Sequence, residues 1–232
     1  MGMGVKAGSA GHGGRRNQWR GEMRIGVLGG TFDPIHAGHV AKAKQAQAQL
    51  DLDCILFTVA GDPWMKTSKD RRITPAAHRL EMVRLALSNH PDLDADDREL
   101  LRSGPTYTAD TLEELARENP GAHLFLLLGS DCLPSLPEWS RPGRVLDLAT
   151  VTVMERPGVE MDLSPLEKIR AGASGQACVL SGQPVEVSSS ELRRSMATGR
   201  QPTGSLEGLV AKYIERHGLY SDVGLSGGRR TD

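Results

Sequence analysis

Gly29 and Gly30 follow a short apolar run and stand directly before Thr31 and Phe32. Two glycines in succession let the backbone turn sharply, and they let a phosphate group approach closely because no side chain stands in the way. The backbone N–H groups of Thr31 and Phe32 can then donate hydrogen bonds to phosphate oxygens. The alternative interpretation is that the glycine pair is only a turn after a strand.

His36 and His39 lie three residues apart at the expected start of a helix, with Gly38 between them. Residues at this spacing share one helix face, so both imidazoles can point at one ligand. The partial positive charge of a helix N-terminus also favours phosphate. A metal-binding pair and two surface histidines are the alternatives, and no third metal ligand is evident nearby. We therefore predict a nucleotide triphosphate site without a protein-held metal ion.

A second candidate segment lies far downstream and reads VSSSELR, ending at Arg193. The hydroxyl groups of Ser189 and Ser190 at a helix start can donate to phosphate, and Arg193 adds a fixed charge with a fork of donors. A serine-rich helix cap is also common for purely structural reasons. As the partner of the first segment, this one predicts that Arg193 joins His36 and His39 as a catalytic side chain around one polyphosphate.

The elements that must position these residues alternate between strand and helix. Continuous apolar runs at 24–28, 54–59, 124–128 and 151–154 predict strands covered on both faces. Helices are predicted over 38–50, 75–88, 189–198 and 206–217. A capping box at Thr111 is predicted to open or reinforce a further helix that ends near Asn119. This order predicts an α/β fold: a Rossmann-like, doubly wound parallel sheet with C-terminal helices.

Ligands of such sheets bind beyond the carboxyl ends of the strands. Three glycine-bearing turns, Gly29–Gly30, Gly61–Asp62 and Gly129–Asp131, each follow a predicted strand. We therefore expect these turns to meet at one edge of the sheet and to contribute, with Gly129 and Asp131, to the nucleotide site.

The composition limits the classes of partner. A net charge of -1 and an aromatic content of 4% give no basic, aromatic surface of the kind that binds nucleic acid. No apolar run is long enough to cross a membrane, and a homo-oligomer is compatible with the sequence. Three scattered cysteines without a CxxC spacing are typical of thiols in a reducing compartment, so we predict a cytoplasmic protein.

The two ends of the chain differ from its middle. Residues 1–22 are rich in glycine and have little to bury, and we predict a disordered N-terminal extension there. The alternatives are an upstream start before Met23 and a phosphate-binding arm. Residues 23–220 are predicted to form the one folded domain, and residues 221–232 a flexible tail.

The string GTFDPIHAGH, from Gly30 to His39, resembles the GTFDP and HxGH elements of the nucleotidylyltransferase superfamily. Residues 187–193 resemble its second element, [I/V]-S-[S/A]-[T/S]-x-[I/L]-R. That superfamily includes transferases for nicotinate or nicotinamide nucleotide, pantetheine phosphate and glycerol phosphate. The resemblance implies that His36 and His39 bind and neutralise the triphosphate and that Asp131 contacts the nucleotide ribose, where a simple helix cap is the alternative.

The middle of the chain narrows the resemblance to bacterial nicotinate-nucleotide adenylyltransferases. Residues 98–112 read RELLRSGPTYTADTL, residues 136–139 read LPEW, and the domain ends on YIERHGLY. The resemblance implies a pyridine ring near Tyr107, Thr108 and Trp139, because an aromatic face can stack on a flat ring and backbone amides can bind its carboxylate. A core tryptophan and a hydrophobic staple at Tyr107 are the structural alternatives.

One segment departs from that family's pattern. Many relatives carry PPHK after the second strand, whereas this chain has Pro63, Trp64, Met65 and Lys66. Lys66 is a candidate contact for the acceptor phosphate or, alternatively, a solvated surface lysine. Trp64 could cover part of the acceptor wall. The departure affects the details of acceptor binding and leaves the adenylyl chemistry unchanged.

The resemblance thus implies adenylyl transfer from ATP to nicotinate mononucleotide, forming nicotinate adenine dinucleotide and pyrophosphate in NAD biosynthesis. Mg²⁺ is expected to travel on the ATP phosphates. The alternatives are nicotinamide mononucleotide or phosphopantetheine as the acceptor, or a non-catalytic nucleotide sensor on the same fold.

Overall fold

A computed structural model of the protein describes residues 23–61, 73–155, 161–170, 176–181, 187–200 and 204–221. Residues 1–22 and 222–232, for which we predict an extension and a tail, lie outside the described residues. The strands of the described part are β1 (Arg24–Gly30), β2 (Cys54–Val59), β3 (Leu93–Asp96), β4 (His123–Gly129), β5 (Ala149–Met154) and β6 (Ala177–Leu180). The helices are α1 (Ala37–Leu50), α2 (Ala76–Leu87), α3 (Thr108–Glu118), α4 (Pro142–Leu148), α5 (Ser164–Arg170), α6 (Ser189–Ala197) and α7 (Gly208–Arg216), with a 3₁₀ helix at Ser130–Glu138.

The strands form one parallel sheet in the order β3-β2-β1-β4-β5-β6. The chain runs outward from β1 to β3, then returns to the middle and runs the other way from β4. The order therefore reverses between β1 and β4, and such a reversal opens a crevice at the carboxyl ends of the two strands. The predicted Rossmann-like, doubly wound fold is confirmed.

Helices cover both faces of the sheet because side chains alternate along each strand. In β1 and β4, Val27 and Leu126 face the hydrophobic core under α3, α4 and α5, whereas Leu28 and Leu127 face the core under α1, α2 and α7. All four side chains are buried. Burying a leucine or valine side chain contributes roughly 1.5–3 kcal/mol, so the central strands anchor both layers.

The two central strands separate before they end. β1 pairs with β4 only as far as Val27 and Leu126. Beyond that point β1 stays paired with β2 up to Gly30, and β4 stays paired with β5 up to Gly129. The carboxyl ends of β1 and β4 thus diverge, and a gap opens between them at the reversal point of the sheet.

Several element boundaries differ from the sequence-based expectation. Gly29 and Gly30 belong to β1 rather than to a turn after it, because they pair with β2. The capping box at Thr111 does not open α3. That helix begins at Thr108, and the Thr111 hydroxyl lies inside it, where it donates to the Glu99 carboxylate at 2.9 Å.

Five short elements were not predicted. β3 alternates leucine and alanine with aspartate at the sheet edge, and β6 is a strand of four residues at the opposite edge. α4 and α5 have seven residues each, and the 3₁₀ helix contains two prolines. Each is too short or too irregular to carry a clear periodic pattern. Among the described helices, none combines the length and the apolarity that crossing a bilayer requires.

Candidate active site

The gap between β1 and β4 opens into a cavity of about 420 Å³. Its floor is formed by the carboxyl ends of the two strands, and its walls come from the β1–α1 loop, the start of α1, the start of the 3₁₀ helix and the start of α6. Two helix N-termini therefore border the cavity. Their partial positive charge favours an anionic ligand.

Most residues predicted for the nucleotide site line this one cavity. They are Gly29, Gly30, Thr31, Phe32, His39, Gly129, Asp131, Ser189, Ser190 and Arg193. The two motif segments are far apart in sequence, and the fold brings both to the lining of the same cavity.

His36 and His39 occupy different positions relative to the cavity. The described lining includes His39 but not His36, which is 5% exposed. The two rings stack with their centroids 3.7 Å apart, so His36 lies beneath His39. The backbone N–H group of His36 donates to Nδ1 of His39 at 3.2 Å. A neutral His39 therefore carries its proton on Nε2.

Helix α6 is fastened to the loop that follows β1. The hydroxyl group of Ser189 donates to the carbonyl oxygen of Pro34 at 2.9 Å, and the Arg193 guanidinium donates to the carbonyl oxygen of Asp33. A second Arg193 nitrogen donates to the hydroxyl oxygen of Ser190 at 3.0 Å. These bonds hold the guanidinium on the cavity wall in one orientation, as a forked donor allows.

A buried polar cluster supports the same loop from behind. Arg79, which is 2% exposed, donates to the carbonyl oxygen of Thr31 at 2.8 Å. Tyr220 donates through its hydroxyl group to Oδ1 of Asp33 at 2.7 Å. Burial and the neighbouring Asp33 raise the pKa of Tyr220 well above its ordinary value, so the phenol stays protonated and remains a donor.

Three of the four residues predicted for the acceptor belong to the described part of the chain. Tyr107 is the N-cap residue of α3 and Thr108 begins that helix. Trp139 packs partly buried against the core beside α3 and α4, and its indole N–H group donates to the Ser135 hydroxyl at 3.3 Å. Lys66 lies outside the described residues. The described lining of the cavity contains neither Tyr107, Thr108 nor Trp139.

A second cavity of about 540 Å³ lies beside the approach to α3. Its lining includes Gly61, Glu99, Arg102 and Gly104. Glu99 and Arg102 both bond the hydroxyl group of Thr111, at 2.9 Å each. Burial raises the pKa of the Glu99 carboxyl. These contacts hold the segment of Glu99 and Arg102 against α3.

Sequence reasoning missed several residues of the nucleotide cavity. The described lining also contains Asp33, Lys42, Cys132, Met154 and Ser188. Lys42 had a usable signal, because it follows His39 by three residues and so shares its helix face. The described residues contain no group of three or more side chains of the metal-ligating types that could hold a metal ion.

Comparison with known proteins agrees with this geometry. The cytidylyltransferase-like family profile matches residues 27–195. A relative from Thermomicrobium roseum, named "probable nicotinate-nucleotide adenylyltransferase", is 40% identical over 200 residues, which cover 86% of this chain and 92% of the relative. A relative of the same name from Thermus thermophilus is 39% identical over 198 residues, covering 85% of this chain and 100% of the relative.

The chain belongs to the nicotinate-nucleotide adenylyltransferase family.

Solved structures agree with the fold of this nicotinate-nucleotide adenylyltransferase family member. The nicotinic acid mononucleotide adenylyltransferase of Plasmodium falciparum, complexed with NaAD, has a TM-score of 0.68 at 20% identity. The match covers 86% of this chain and 98% of that chain. The same enzyme complexed with APC gives a TM-score of 0.67. At this identity the similarity demonstrates the shared fold.

Proposed function

We propose that this chain transfers the adenylyl group of ATP to nicotinate mononucleotide, forming nicotinate adenine dinucleotide and pyrophosphate. The observation that carries the proposal is the convergence of His39 and Arg193 on one cavity beside Gly29 and Gly30. A polyphosphate requires this combination of donors and open backbone. Family membership supplies the acceptor, because relatives about 40% identical over nearly their whole length carry that name.

The reaction is a direct in-line displacement. A phosphate oxygen of nicotinate mononucleotide attacks the α-phosphorus of ATP, and the bond from that phosphorus to the bridging oxygen of the β-phosphate breaks. Pyrophosphate leaves with the electron pair. A phosphate monoester is largely ionised near pH 7, so the attack requires no general base. Catalysis then rests on positioning the two phosphates and on stabilising the charge that develops on the leaving group.

His39 is the proposed donor to the triphosphate. Its Nδ1 atom accepts from the backbone of His36, which directs the Nε2 proton away from that contact. The stacked ring of His36 supports this orientation from below. The two histidines thus take different roles: His39 contacts the phosphate, and His36 fixes the position of His39.

Helix α6 supplies the opposite side of the proposed phosphate site. Arg193 contributes a fixed positive charge, and its bond to the Asp33 carbonyl keeps it against the β1–α1 loop. Ser189 and Ser190 stand in the first turn of the same helix, on the cavity wall. The N–H groups of that turn add donors, and the helix dipole adds partial positive charge.

The remaining predicted contacts follow the shape of the cavity. Asp131 stands at the start of the 3₁₀ helix, where a carboxylate can accept from ribose hydroxyl groups. Gly129 precedes it at the end of β4 and presents only backbone. We assign the ribose to this side and the triphosphate to the side of His39 and Arg193.

The acceptor is proposed to lie toward the N-terminus of α3. Thr108 begins that helix after Tyr107, so backbone N–H groups and the helix dipole favour the pyridine carboxylate there. Trp139 is the proposed stacking surface for the ring. Lys66 is the proposed contact for the acceptor phosphate.

Mg²⁺ is proposed to arrive bound to the ATP phosphates. The ion would neutralise charge on the oxygens of the leaving pyrophosphate. Mg²⁺ prefers oxygen ligands, and the described lining of the cavity offers the carboxylates of Asp33 and Asp131. Asp33 accepts from Tyr220, so its carboxylate is already engaged.

A pyrophosphate-release assay tests the proposal. Purified protein is incubated with ATP and Mg²⁺ and with nicotinate mononucleotide, nicotinamide mononucleotide or phosphopantetheine in separate reactions. We expect the highest kcat/KM with nicotinate mononucleotide and a dinucleotide product detectable by mass. Preference for another acceptor would reassign the substrate, and ATP binding without pyrophosphate release would identify a nucleotide sensor.

A further inference from the structure

Arg79 is a buried cation in the first turn of α2, and it bonds the β1–α1 loop and both described ends of the β2–α2 connection. Its guanidinium donates to the carbonyl oxygens of Thr31 at 2.8 Å, Thr74 at 2.9 Å and Gly61 at 3.4 Å. Burying a cation is unfavourable unless it is paired and hydrogen-bonded. The Arg79 guanidinium is buried nevertheless, and all three of these acceptors are main-chain carbonyl oxygens.

The three carbonyl groups belong to functionally distinct parts of the chain. Thr31 lies in the loop that forms one wall of the nucleotide cavity. Gly61 and Thr74 lie on either side of residues 62–72, at the carboxyl end of β2 and before α2. One planar group therefore sets the separation between the nucleotide loop and both ends of that segment.

Asp33 supplies the balancing negative charge. Burial lowers the pKa of the Arg79 guanidinium, and the charge of Asp33 opposes that shift. The same carboxylate accepts a hydrogen bond from Tyr220 at 2.7 Å. The guanidinium, the carboxylate and the phenol thus form one cluster that includes Asp33 of the nucleotide loop.

We propose that Arg79 is a positioning residue for adenylyl transfer, which fixes the loop of Thr31 and Asp33 relative to the carboxyl end of β2. The inference rests on the proposed function, because it concerns the alignment of two substrates that meet at this edge. Displacements of about 1 Å in such an alignment can reduce turnover by about 100-fold. The fork of a guanidinium reaches three carbonyl groups in different directions, whereas the single ammonium of lysine cannot.

The first test is Arg79→Lys, which keeps the charge and removes the fork. We expect kcat to fall by about 100-fold, while the Kd of a non-hydrolysable ATP analogue changes by less than about 10-fold. Circular dichroism and the melting temperature report whether the variant is folded. Arg84→Lys is the matched control, because Arg84 lies on the same helix with a 48% exposed side chain, and its kcat should stay within about 2-fold of the parent.

A purely structural role for Arg79 would give a different result. The variant would then melt at a lower temperature, but kcat per folded molecule would equal that of the parent, and this outcome overturns the proposal. Pyrophosphate release by the parent protein separates a failure of the proposed function from a failure of the positioning role. Failure of the parent to release pyrophosphate contradicts the proposed function, whereas an active parent with an equally active Arg79→Lys variant contradicts only the positioning role.

Tyr220→Phe decides the case if Arg79→Lys does not fold. It removes the hydroxyl group that donates to Asp33 and leaves the ring in place. We expect kcat to fall by about 10-fold with a small change in analogue affinity, since one hydrogen bond to a charged group is lost. Where Arg79→Lys does fold, the kcat loss of the double variant should be smaller than the product of the two single losses, because both residues act through Asp33. An unchanged kcat in folded Tyr220→Phe overturns the proposal.

Discussion

The hydroxyl group of Tyr220 donates a hydrogen bond of 2.7 Å to Oδ1 of Asp33, across 187 positions of sequence. The last described turn of the chain therefore closes on the loop that follows the first strand. Ser189 and Arg193 reach the same loop through the carbonyl oxygens of Pro34 and Asp33. Helix α6 and Tyr220 thus both hold the β1–α1 loop, which forms one wall of the nucleotide cavity.

Replacing His39 by alanine is expected to lower kcat/KM by about 100- to 1,000-fold, because a donor aimed at the triphosphate is lost. His36→Ala should also lose activity, since the ring that stacks beneath His39 disappears. Pyrophosphate release measures both effects. His123→Ala is the control, because His123 is exposed at the opposite end of β4. Full activity in His39→Ala would refute the phosphate role of that ring.

Arg193→Lys is expected to raise the KM for ATP and to lower kcat, for a combined loss of about 10- to 100-fold in kcat/KM. A lysine keeps the charge but cannot bond the Asp33 carbonyl and the Ser190 hydroxyl at once. Arg194→Lys, on the exposed side of the same helix, should behave like the parent in the same assay. Equal kinetics for the two variants would contradict the role of Arg193.

Gly61→Ala is expected to destabilise the fold by about 1–3 kcal/mol, as overpacking does in a tight core. A Cβ atom at this position would lie 2.5 Å from the carbonyl oxygen of Glu99, which is backbone and cannot rotate away. Urea unfolding measures the loss. Gly143→Ala should be neutral or slightly stabilising, because nothing lies within 4 Å of its added Cβ in helix α4. Equal stability for both variants would contradict the contact.

The stability of the fold should decline at alkaline pH, partly through Cys54. Burial, and then the charges of Asp53 and Asp94, raise the pKa of this thiol to about 12 from 9.0. Above pH 9 the unfolded chain releases the thiol proton while the folded chain retains it, so stability falls as the pH rises from about 9 toward about 12. Between pH 8 and pH 10 this group should account for about 1.4 kcal/mol of lost unfolding free energy.

Cys54→Ala isolates that contribution. The variant should lose less unfolding free energy than the parent between the two pH values, as measured by urea unfolding at each. Cys178→Ala is the comparison variant, and it should retain the slope of the parent. Identical slopes in parent and Cys54→Ala would show that the thiol does not keep its proton in the folded state.

The architecture could be predicted from the sequence, because continuous apolar runs indicated that both faces of the central strands are buried. The sequence also predicted the motif residues that share a cavity, apart from His36, since glycine pairs after strands identify the carboxyl edge of a parallel sheet. It did not predict the separation of β1 from β4 beyond Val27 and Leu126. That divergence depends on the pairing of four strands, β2, β1, β4 and β5, and no single segment encodes it.

The buried position of Arg79 beside the site could not be predicted from the sequence either. Arg79 stands in a helix with charged neighbours, where an exposed arginine is the usual expectation. Its burial depends on carbonyl groups of the β1–α1 loop and of both ends of the β2–α2 connection, which meet only in the folded chain. The different positions of His36 and His39 likewise follow from ring stacking and burial, whereas their spacing predicted only a shared helix face.

The contacts of Asp33 with residues near position 190 and with Tyr220 have a consequence for biosynthesis. A ribosome makes Asp33 160 residues before Arg193 and 187 residues before Tyr220, so the side chains that hold the loop follow it after a long delay. Contacts between such distant residues close large loops of chain and form late in folding. A nascent polypeptide that stops short of these segments should therefore present the first motif without retaining nucleotide on it.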